Sequence, residues 1–299
     1  MLNTPLPMTF RINGSGKFAD ELRNKLESNF MSHFAEGPVT VRGSFCVPLG
    51  LRRELCRQPA CERRHASVLT APHRPPAPAL PAPQIDGEAV DPPRALPWYP
   101  SNLAWQCNFS RMQLRKLPIL EGLHEFIKRE NEAGSITRQE AVSMVPPLFL
   151  DVQPHHRVLD MCAAPGSKTA QLLEMLHASG AEPGGVVIAN DADAQRCNLL
   201  THQTKRMCSP ALLITNHEAQ LFPALPNLDA ASPEATYLFD RILCDVPCSG
   251  DGTIRKAPDI WGRWTPANGN GLHSLQLRIT LRWAARLSCW ARCMLHAAA

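Results

Sequence analysis

A run of small residues precedes an amphipathic segment and is the first place where this chain could hold a ligand. It consists of Cys162, Ala163, Ala164, Pro165, Gly166, Ser167 and Lys168. Small side chains let the backbone approach a ligand, and free amides at the start of the following helix suit a carboxylate or a phosphate. The run matches neither the dinucleotide fingerprint nor the phosphate-binding loop. Taken alone, it is better explained as an ordinary strand-to-helix turn.

Three acidic residues strengthen the case for a site. Asp191, Glu218 and Asp245 each follow a strand-like apolar segment. Ligands of open α/β sheets bind outside the carboxyl ends of the strands, and an acid after the second strand accepts hydrogen bonds from ribose hydroxyls. A single such acid is more often a solvated loop residue, but the set of three predicts a nucleoside-like ligand.

Cys248 lies in a tight turn rich in proline and glycine, Asp245-Val-Pro-Cys-Ser-Gly-Asp-Gly-Thr253. A cysteine held rigidly at the ligand-binding edge of a sheet can serve as a thiolate in covalent catalysis. The alternative is a small buried apolar residue, which most free cysteines are. In this turn we favour the catalytic interpretation.

Strand and helix patterns alternate from His156 onward. Strands are predicted at 157–160, 186–189, 212–215 and 241–244, and helices at 169–177, 194–207 and 272–287. This alternation is typical of parallel βαβ units. The segment 9–34 combines a short strand with a helix whose apolar residues recur every four positions. A further helix is predicted to begin at Thr137, with Glu140 three residues on completing a capping box. We therefore predict an α/β fold with a small N-terminal α+β region.

The motifs MCAAPGSKTAQ, ANDAD and ILCDVPCSGDGT together resemble the RsmB/Nop-type (Sun-domain) RNA 5-methylcytosine methyltransferases. The segments PLPMTFRIN, PWYPSNLAWQCNFSR, RQEAVSMVPPL and LHSLQLRI resemble the branch that methylates tRNA. The resemblance covers about residues 3–42 and 97–281. It implies a Rossmann-like methyltransferase sheet, S-adenosylmethionine as cofactor, tRNA as partner and a nuclear location.

The resemblance also implies roles for individual residues. Cys162 to Lys168, Asp191, Glu218 and Asp245 would bind S-adenosylmethionine, although tRNA-branch members usually have Asp where this chain has Glu218. Carbon 5 of cytosine is a poor nucleophile until a thiolate adds to carbon 6. In the family a cysteine in a Thr-Cys-Ser motif makes this attack, and the Pro-Cys cysteine, here Cys248, assists product release.

The C-terminal segment departs from the family pattern. Cys289 and Cys293 follow the last helix, but neither lies in a Thr-Cys-Ser motif or after a strand-like run. We therefore expect a sheet that is incomplete after its fourth strand, with 242–244 as an unprotected edge and the last helix short of packing partners. We also expect little or no activity unless Cys248 replaces the nucleophile. The alternatives are a non-catalytic isoform that binds cofactor or tRNA, and an unstable fragment.

Composition shifts divide the chain. We expect an RNA-binding-like region at 1–42, a disordered Pro/Arg-rich insert at 43–96, a helical extension at 97–155, the cofactor-binding domain at 156–287 and a tail outside the family pattern at 288–299. Arginines of the insert and the aromatic residues Trp98 and Trp105 could contact RNA, but a solvated linker and packing are the more common roles. Zinc binding by Cys56, Cys61 and His65 is disfavoured because a fourth ligand is not evident.

Bulk composition narrows the remaining classes. The chain has 299 residues, 44% of them hydrophobic, with 11 cysteines and a net charge of +4. We expect a globular intracellular protein with reduced thiols, without a membrane span, signal peptide or metal centre. The charge is too small to indicate RNA by itself, and the oligomeric state is left open.

Overall fold

The computed structural model describes residues 6–33, 84–85, 88–89, 91–109, 117–227, 232, 235–284 and 286–297. Most of the expected insert, including Cys56, Cys61 and His65, lies outside the described residues, so its disorder stays a prediction. Asp91 to Leu96, at its C-terminal end, are described and include a short strand.

The N-terminal half forms a small antiparallel sheet. Its elements are β1 (Met8–Ile12), α1 (Ala19–Asn29), the separate pair β2 (Gln84–Ile85) and β3 (Glu88–Ala89), then β4 (Arg94–Ala95), β5 (Ala104–Cys107), α2 (Pro118–Glu132) and β6 (Ile136–Arg138). The sheet order is β4-β5-β1-β6. Phe10, Leu26, Trp105, Leu123 and Ile136 are buried in one core beneath it. Strands from 94 to 138 therefore complete the region that begins with β1.

The predicted helix start at Thr137 is wrong. Thr137 lies in β6, where it pairs with Arg11 of β1, and the next helix, α3 (Ala141–Leu150), follows Glu140. The β-branched residues Ile136 and Thr137 suit a strand. Pairing with β1 therefore outweighs the local capping signal.

The second half contains a parallel sheet. Its elements are β7 (Arg157–Asp160), α4 (Ser167–Leu176), β8 (Val186–Asp191), α5 (Ala194–Thr204), β9 (Leu212–Asn216), β10 (Phe239–Val246), α6 (Pro266–Ala284) and β11 (Leu287–Ala297). The strand order is β11-β10-β7-β8-β9. Central strands carry consecutive buried apolar residues such as Val158, Leu159, Ile242 and Leu243, which is typical of parallel sheets covered on both faces. The α/β interpretation is confirmed.

The expectation of a sheet that stops after four strands is wrong. Residues of the tail form β11, which pairs in parallel with β10 and places Cys293 opposite Ile242 and Leu295 opposite Cys244. The 242–244 ladder is therefore covered on both sides. The segment Leu287–Ala297 has no regular alternation of apolar and polar residues, so periodicity did not reveal this strand, and the unpaired backbone groups of β10 supply the partner that it needs.

The last helix also packs against the domain, contrary to expectation. Ile279 and Trp283 of α6 are buried, and the Trp283 indole donates a hydrogen bond of 2.8 Å to the Ala219 carbonyl. The Trp283 and Phe222 rings lie 4.8 Å apart between centroids. These contacts fix α6 against the sheet.

Buried polar contacts join the two sheets. Arg11 of β1 is fully buried, its guanidinium contacts the Glu174 carboxylate, and its Nε donates to Gln139 Oε1 at 2.6 Å. Gln139 in turn donates to Gln171 Oε1 at 3.0 Å. The N-terminal sheet is thereby anchored on α4. Among the described helices none is both long and apolar enough to cross a bilayer.

Candidate functional site

The parallel sheet changes direction between β7 and β10. From β7 the chain proceeds through β8 and β9 on one side, whereas β10 and β11 lie on the other. Crevices of open α/β sheets form outside the carboxyl ends of the strands at such a point. The loop 162–168 follows β7 and Cys248 follows β10, so the topology brings both sequence motifs to the same edge of the sheet.

The loop before α4 is fixed by its backbone. Ala164 donates its amide to Asp191 Oδ2 at 3.1 Å. Gly166 has a φ of +108°, and a Cβ there would lie 2.8 Å from Leu200 Cδ1. The left-handed backbone favours glycine at this position, and a Cβ would also force the Leu200 side chain of α5 to move.

Asp191 ends β8, as expected, and holds the loop in place. Its side chain is buried, Oδ1 accepts from the Asp193 amide at 3.1 Å, and Oδ2 lies 3.3 Å from Arg196 Nη2. The carboxylate thus stabilises both the loop and the start of α5. Its assignment to the ribose hydroxyls stays a prediction.

A cavity of about 490 Å³ lies between the loop and the N-terminal sheet. Seven predicted residues line it: Cys162, Ala163, Ala164, Pro165, Ser167, Lys168 and Asp245. The facing wall includes Thr9, Arg138, Gln139 and Glu140. Its volume is in the range of small-molecule sites. Gly166, Asp191, Glu218 and Cys248 do not line this cavity.

Lys168 and Asp245 form an ion pair at this cavity. Lys168 Nζ donates to Asp245 Oδ2 at 2.6 Å, and both side chains are largely shielded from solvent. Such charge-assisted bonds are stronger than neutral ones. The pair connects α4 to the end of β10 and fixes the relative position of the two motifs.

Asp160, the last residue of β7, was missed as a site residue in the sequence. It is buried and lines the cavity; Oδ2 accepts from Thr169 Oγ1 at 2.7 Å, whereas Oδ1 has no hydrogen-bond partner among the described residues. Burial raises the pKa of Asp160 to about 7. A signal existed, because Asp160 is also an acid at a strand end.

The wall contributed by RQEAVSMVPPL was also missed. Glu140 forms a salt bridge with Lys256 at the cavity, and burial lowers the pKa of Lys256. In the sequence, the spacing of Thr137 and Glu140 predicts a helix cap. The proximity of Glu140 to the loop 162–168 depends on the contact between the two sheets, which periodicity does not reveal.

Glu218 and Cys248 lie apart from the cavity lining. Glu218 is exposed and accepts from Gln220 Nε2 at 2.7 Å. Cys248 is half-buried in the turn after β10, and Gln276 of α6 donates to the Pro247 carbonyl of that turn at 2.8 Å. This hydrogen bond fixes the turn against α6. Cys248 lies three residues beyond Asp245 in the chain.

The loop cysteine and the aromatic candidates have structural surroundings. Burial raises the pKa of Cys162 to about 12, so its thiol stays protonated at neutral pH. Trp105 is buried in the N-terminal core, which identifies it as a packing residue, whereas Trp98 is exposed. Within the described part of the chain, no three His, Cys, Asp or Glu side chains converge on a metal-sized space.

Comparison with known proteins identifies the family. Residues 147–288 match the family model described as 16S rRNA methyltransferase RsmB/F. A Drosophila melanogaster protein named tRNA (cytosine(34)-C(5))-methyltransferase is 53% identical over 208 residues, which are 69% of this chain and 28% of that protein. Over residues 147–288 the chain is a match to the RsmB/F methyltransferase family. The resemblance found in the sequence is confirmed.

Two further comparisons extend this result. A Saccharomyces cerevisiae protein named multisite-specific tRNA:(cytosine-C(5))-methyltransferase is 43% identical over 279 residues, covering 93% of this chain and 34% of that protein. This chain therefore spans about a third of the length of such relatives. A solved Pyrococcus horikoshii structure, titled a methyltransferase homolog protein, has a TM-score of 0.52 at 21% identity and covers 96% of this chain and 63% of that one. That likeness shows the fold.

Proposed function

We propose that this chain binds S-adenosylmethionine in the cavity beside the loop 162–168, and that the protein methylates carbon 5 of cytosine in tRNA. The observation that carries the proposal is the cavity itself, where the family's loop meets the Lys168–Asp245 pair. The names of the Drosophila and yeast relatives favour tRNA as the substrate.

The residues of the cavity fit the cofactor. S-adenosylmethionine has a carboxylate, an ammonium group, a sulfonium and ribose hydroxyls, and therefore needs acceptors as well as donors. Asp160 offers a buried oxygen without a partner in the described structure, while Lys168 provides positive charge. The bound cofactor supplies an activated methyl group.

The protein's own residues would position and activate the base. A cysteine thiolate that adds to carbon 6 makes carbon 5 nucleophilic; carbon 5 then takes the methyl group, loses its proton, and the thiolate is eliminated. We assign product release to Cys248, since the resemblance gives attack to a cysteine in a Thr-Cys-Ser motif. Such a motif is absent from the 299 residues. We therefore propose that the chain as given transfers methyl groups slowly.

Cofactor binding is tested by calorimetry on the purified chain. At a pH well above the Asp160 pKa of about 7, Asp160→Asn retains the shape of the side chain but removes its charge, so we expect it to weaken S-adenosylmethionine binding about tenfold. Glu121→Gln, at an exposed position in the first turn of α2, is the matched control and should bind as the wild type does. Equal affinity in all three proteins would exclude this cavity as the cofactor site.

Methyl transfer is tested separately. Labelled methyl groups from S-adenosylmethionine are followed into unmodified tRNA and into 16S rRNA, because the family model carries the rRNA name. The chain as given, its Cys248→Ser variant and a version extended through a Thr-Cys-Ser motif are compared. Slow transfer in the first and robust transfer to tRNA in the third support the proposal. Robust transfer by the chain as given that Cys248→Ser abolishes would make Cys248 the nucleophile.

A nuclear location is proposed on the resemblance alone. A fluorescent fusion of the full-length protein tests it, and uniform exclusion from the nucleus would contradict it.

A further inference from the structure

A second cavity lies beside the proposed cofactor site. Its volume is about 290 Å³, and its lining comprises Asn131, Thr137, Arg138, Pro165, Gly166, Ser167, Gln203 and Arg206. Among these residues are two guanidinium groups and no carboxylate. All the other lining residues are uncharged. The cavity is therefore positively charged as well as polar.

The charge of Arg206 is not neutralised by its hydrogen bonds. Its guanidinium donates to the Asn131 carbonyl at 2.6 Å, to the Gln203 carbonyl at 3.0 Å and to Gln203 Oε1 at 2.7 Å. All three acceptors are neutral. These bonds hold the side chain in place, and its partial burial lowers the pKa of Arg206. A fixed and partly desolvated cation attracts an anion more strongly than a solvated one does.

Arg138 carries the second positive charge. It is exposed at the end of β6, and no hydrogen bond or ion pair of its side chain occurs within the described structure. Arg138, Pro165 and Ser167 line this cavity and the 490 Å³ cavity alike. An anion bound here would thus lie next to the cofactor proposed to bind there, and so near the base that receives the methyl group.

We infer that this second cavity binds a backbone phosphate of the RNA strand that presents the target base, with Arg138 and Arg206 as its two cationic contacts. The inference rests on the proposed function for its RNA. A phosphodiester is the anion that arrives already joined to the base. Arginine is suited to it because its planar fork can donate two hydrogen bonds to phosphate oxygens.

The test is the salt dependence of tRNA binding. Fluorescence anisotropy of labelled, unmodified tRNA is measured between 50 and 200 mM KCl, values on the order of those over which phosphate contacts lose affinity. Arg138→Gln should weaken binding about tenfold at low salt and reduce the slope of log K against log [salt] by about 1. Arg138→Lys, which keeps the charge, should retain most of that slope. Arg129→Gln, at an exposed arginine that pairs with Glu130, is the control and should match the wild type.

The outcomes separate this inference from the proposed function. If the wild type binds tRNA and Arg138→Gln has the same affinity and slope, the phosphate contact is wrong and the proposed function stands. If the wild type does not bind tRNA, the proposed substrate fails and the inference fails with it. The last measurement is the thermal shift that inorganic phosphate causes in the wild type and in Arg138→Gln. If phosphate stabilises only the wild type while both proteins bind tRNA equally, the cavity is a site for free anions and the RNA assignment is wrong. Thermal unfolding of each variant confirms that it is folded.

Discussion

Lys168 Nζ and Asp245 Oδ2 lie 2.6 Å apart and join α4 to β10 across the point where the parallel sheet changes direction. The two residues are 77 positions apart in the chain and come from different sequence motifs. Their ion pair fixes the loop 162–168 and the turn around Cys248 relative to each other.

Breaking this pair should destabilise the fold. Lys168→Met leaves a largely shielded carboxylate without its cation, so we expect the free energy of unfolding to fall by about 1–3 kcal/mol. Urea denaturation measures the effect. Lys128→Met is the matched control, since Lys128 pairs with Glu125 on the solvated face of α2 and should change stability by less than about 1 kcal/mol. Equal effects at both lysines would contradict the structural role of the pair.

Asp160 should make stability depend on pH. Burial raises the pKa of Asp160 from 3.8 to about 7, so between these values the folded chain keeps a proton that the unfolded chain has released. The contribution of Asp160 to the free energy of unfolding therefore decreases as the pH rises from about 4 to about 7, by at most about 1.4 kcal/mol per pH unit. Urea titrations at several pH values should show a shallower decrease in Asp160→Asn. Identical slopes in the two proteins would show that Asp160 is ionised throughout.

The Arg11–Glu174 contact offers a test of how the two sheets are joined. Both side chains are buried, so Arg11→Met should destabilise the protein by about 3–5 kcal/mol, because it leaves the Glu174 carboxylate without a partner. The double variant Arg11→Met/Glu174→Leu removes both charges and should recover most of that loss. Thermal and urea unfolding of the wild type, Arg11→Met and the double variant measure these differences in stability. A double variant no more stable than Arg11→Met would mean that packing, not charge, accounts for the effect.

Gly166→Ala should damage the loop locally. The new Cβ would lie 2.8 Å from Leu200 Cδ1, and the φ of +108° disfavours any side chain, so we expect a loss of at least about 1–2 kcal/mol. Gly184→Ala is the control, because nothing lies within 4 Å of the position of its Cβ. Circular dichroism melts of both variants test this. A Gly166→Ala protein as stable as Gly184→Ala would mean that the loop adapts freely.

The sequence predicted the parallel elements well for a physical reason. Strands such as β7 and β8 are short apolar runs, and the residue after each run falls at the same edge of the sheet, so Asp191 and Asp245 could be placed without a structure. The contacts of individual side chains could not be predicted in this way. That Asp191 hydrogen-bonds the loop, and that Glu218 does not line the cavity, depend on local geometry that spacing does not encode.

Contacts between the two sheets were the other omission. Arg11 and Gln139 are far apart in sequence, and their hydrogen bond of 2.6 Å forms only because β1 and β6 pair. The same pairing overrode the capping signal at Thr137. Asp160 could not be assigned to the site from the sequence, because an acid at the end of a strand also fits a buried position in the sheet. Only the cavity shows the importance of its Oδ1, which has no hydrogen-bond partner among the described residues.

The final strand provides the last prediction. β11 pairs in parallel with β10, and each residue from Arg241 to Val246 has a partner in it. Removal of residues 287–299 would expose the ladder groups of 242–244 beside a buried apolar core. An open edge of this kind pairs readily with other chains. We therefore expect the shortened chain to aggregate at concentrations at which the 299-residue chain does not.

Light scattering and size-exclusion chromatography measure this difference.

A substitution in one of the two strands tests whether the open edge causes the aggregation. A lysine between Arg241 and Asp245, as in Leu243→Lys, is unsuitable because it would disrupt the core as well as the edge. Proline in the partner strand is more selective: Cys293→Pro removes the backbone donor at the position of β11 that is paired with Ile242, and the fixed φ of proline disturbs regular pairing there. We expect this variant of the full chain to lose stability and aggregate in the same way as the shortened one, whereas Cys293→Val, which suits a strand, should behave as the unmodified chain does. A shortened chain that stays monodisperse and as stable as the full one would show that β10 needs no neighbour on that side.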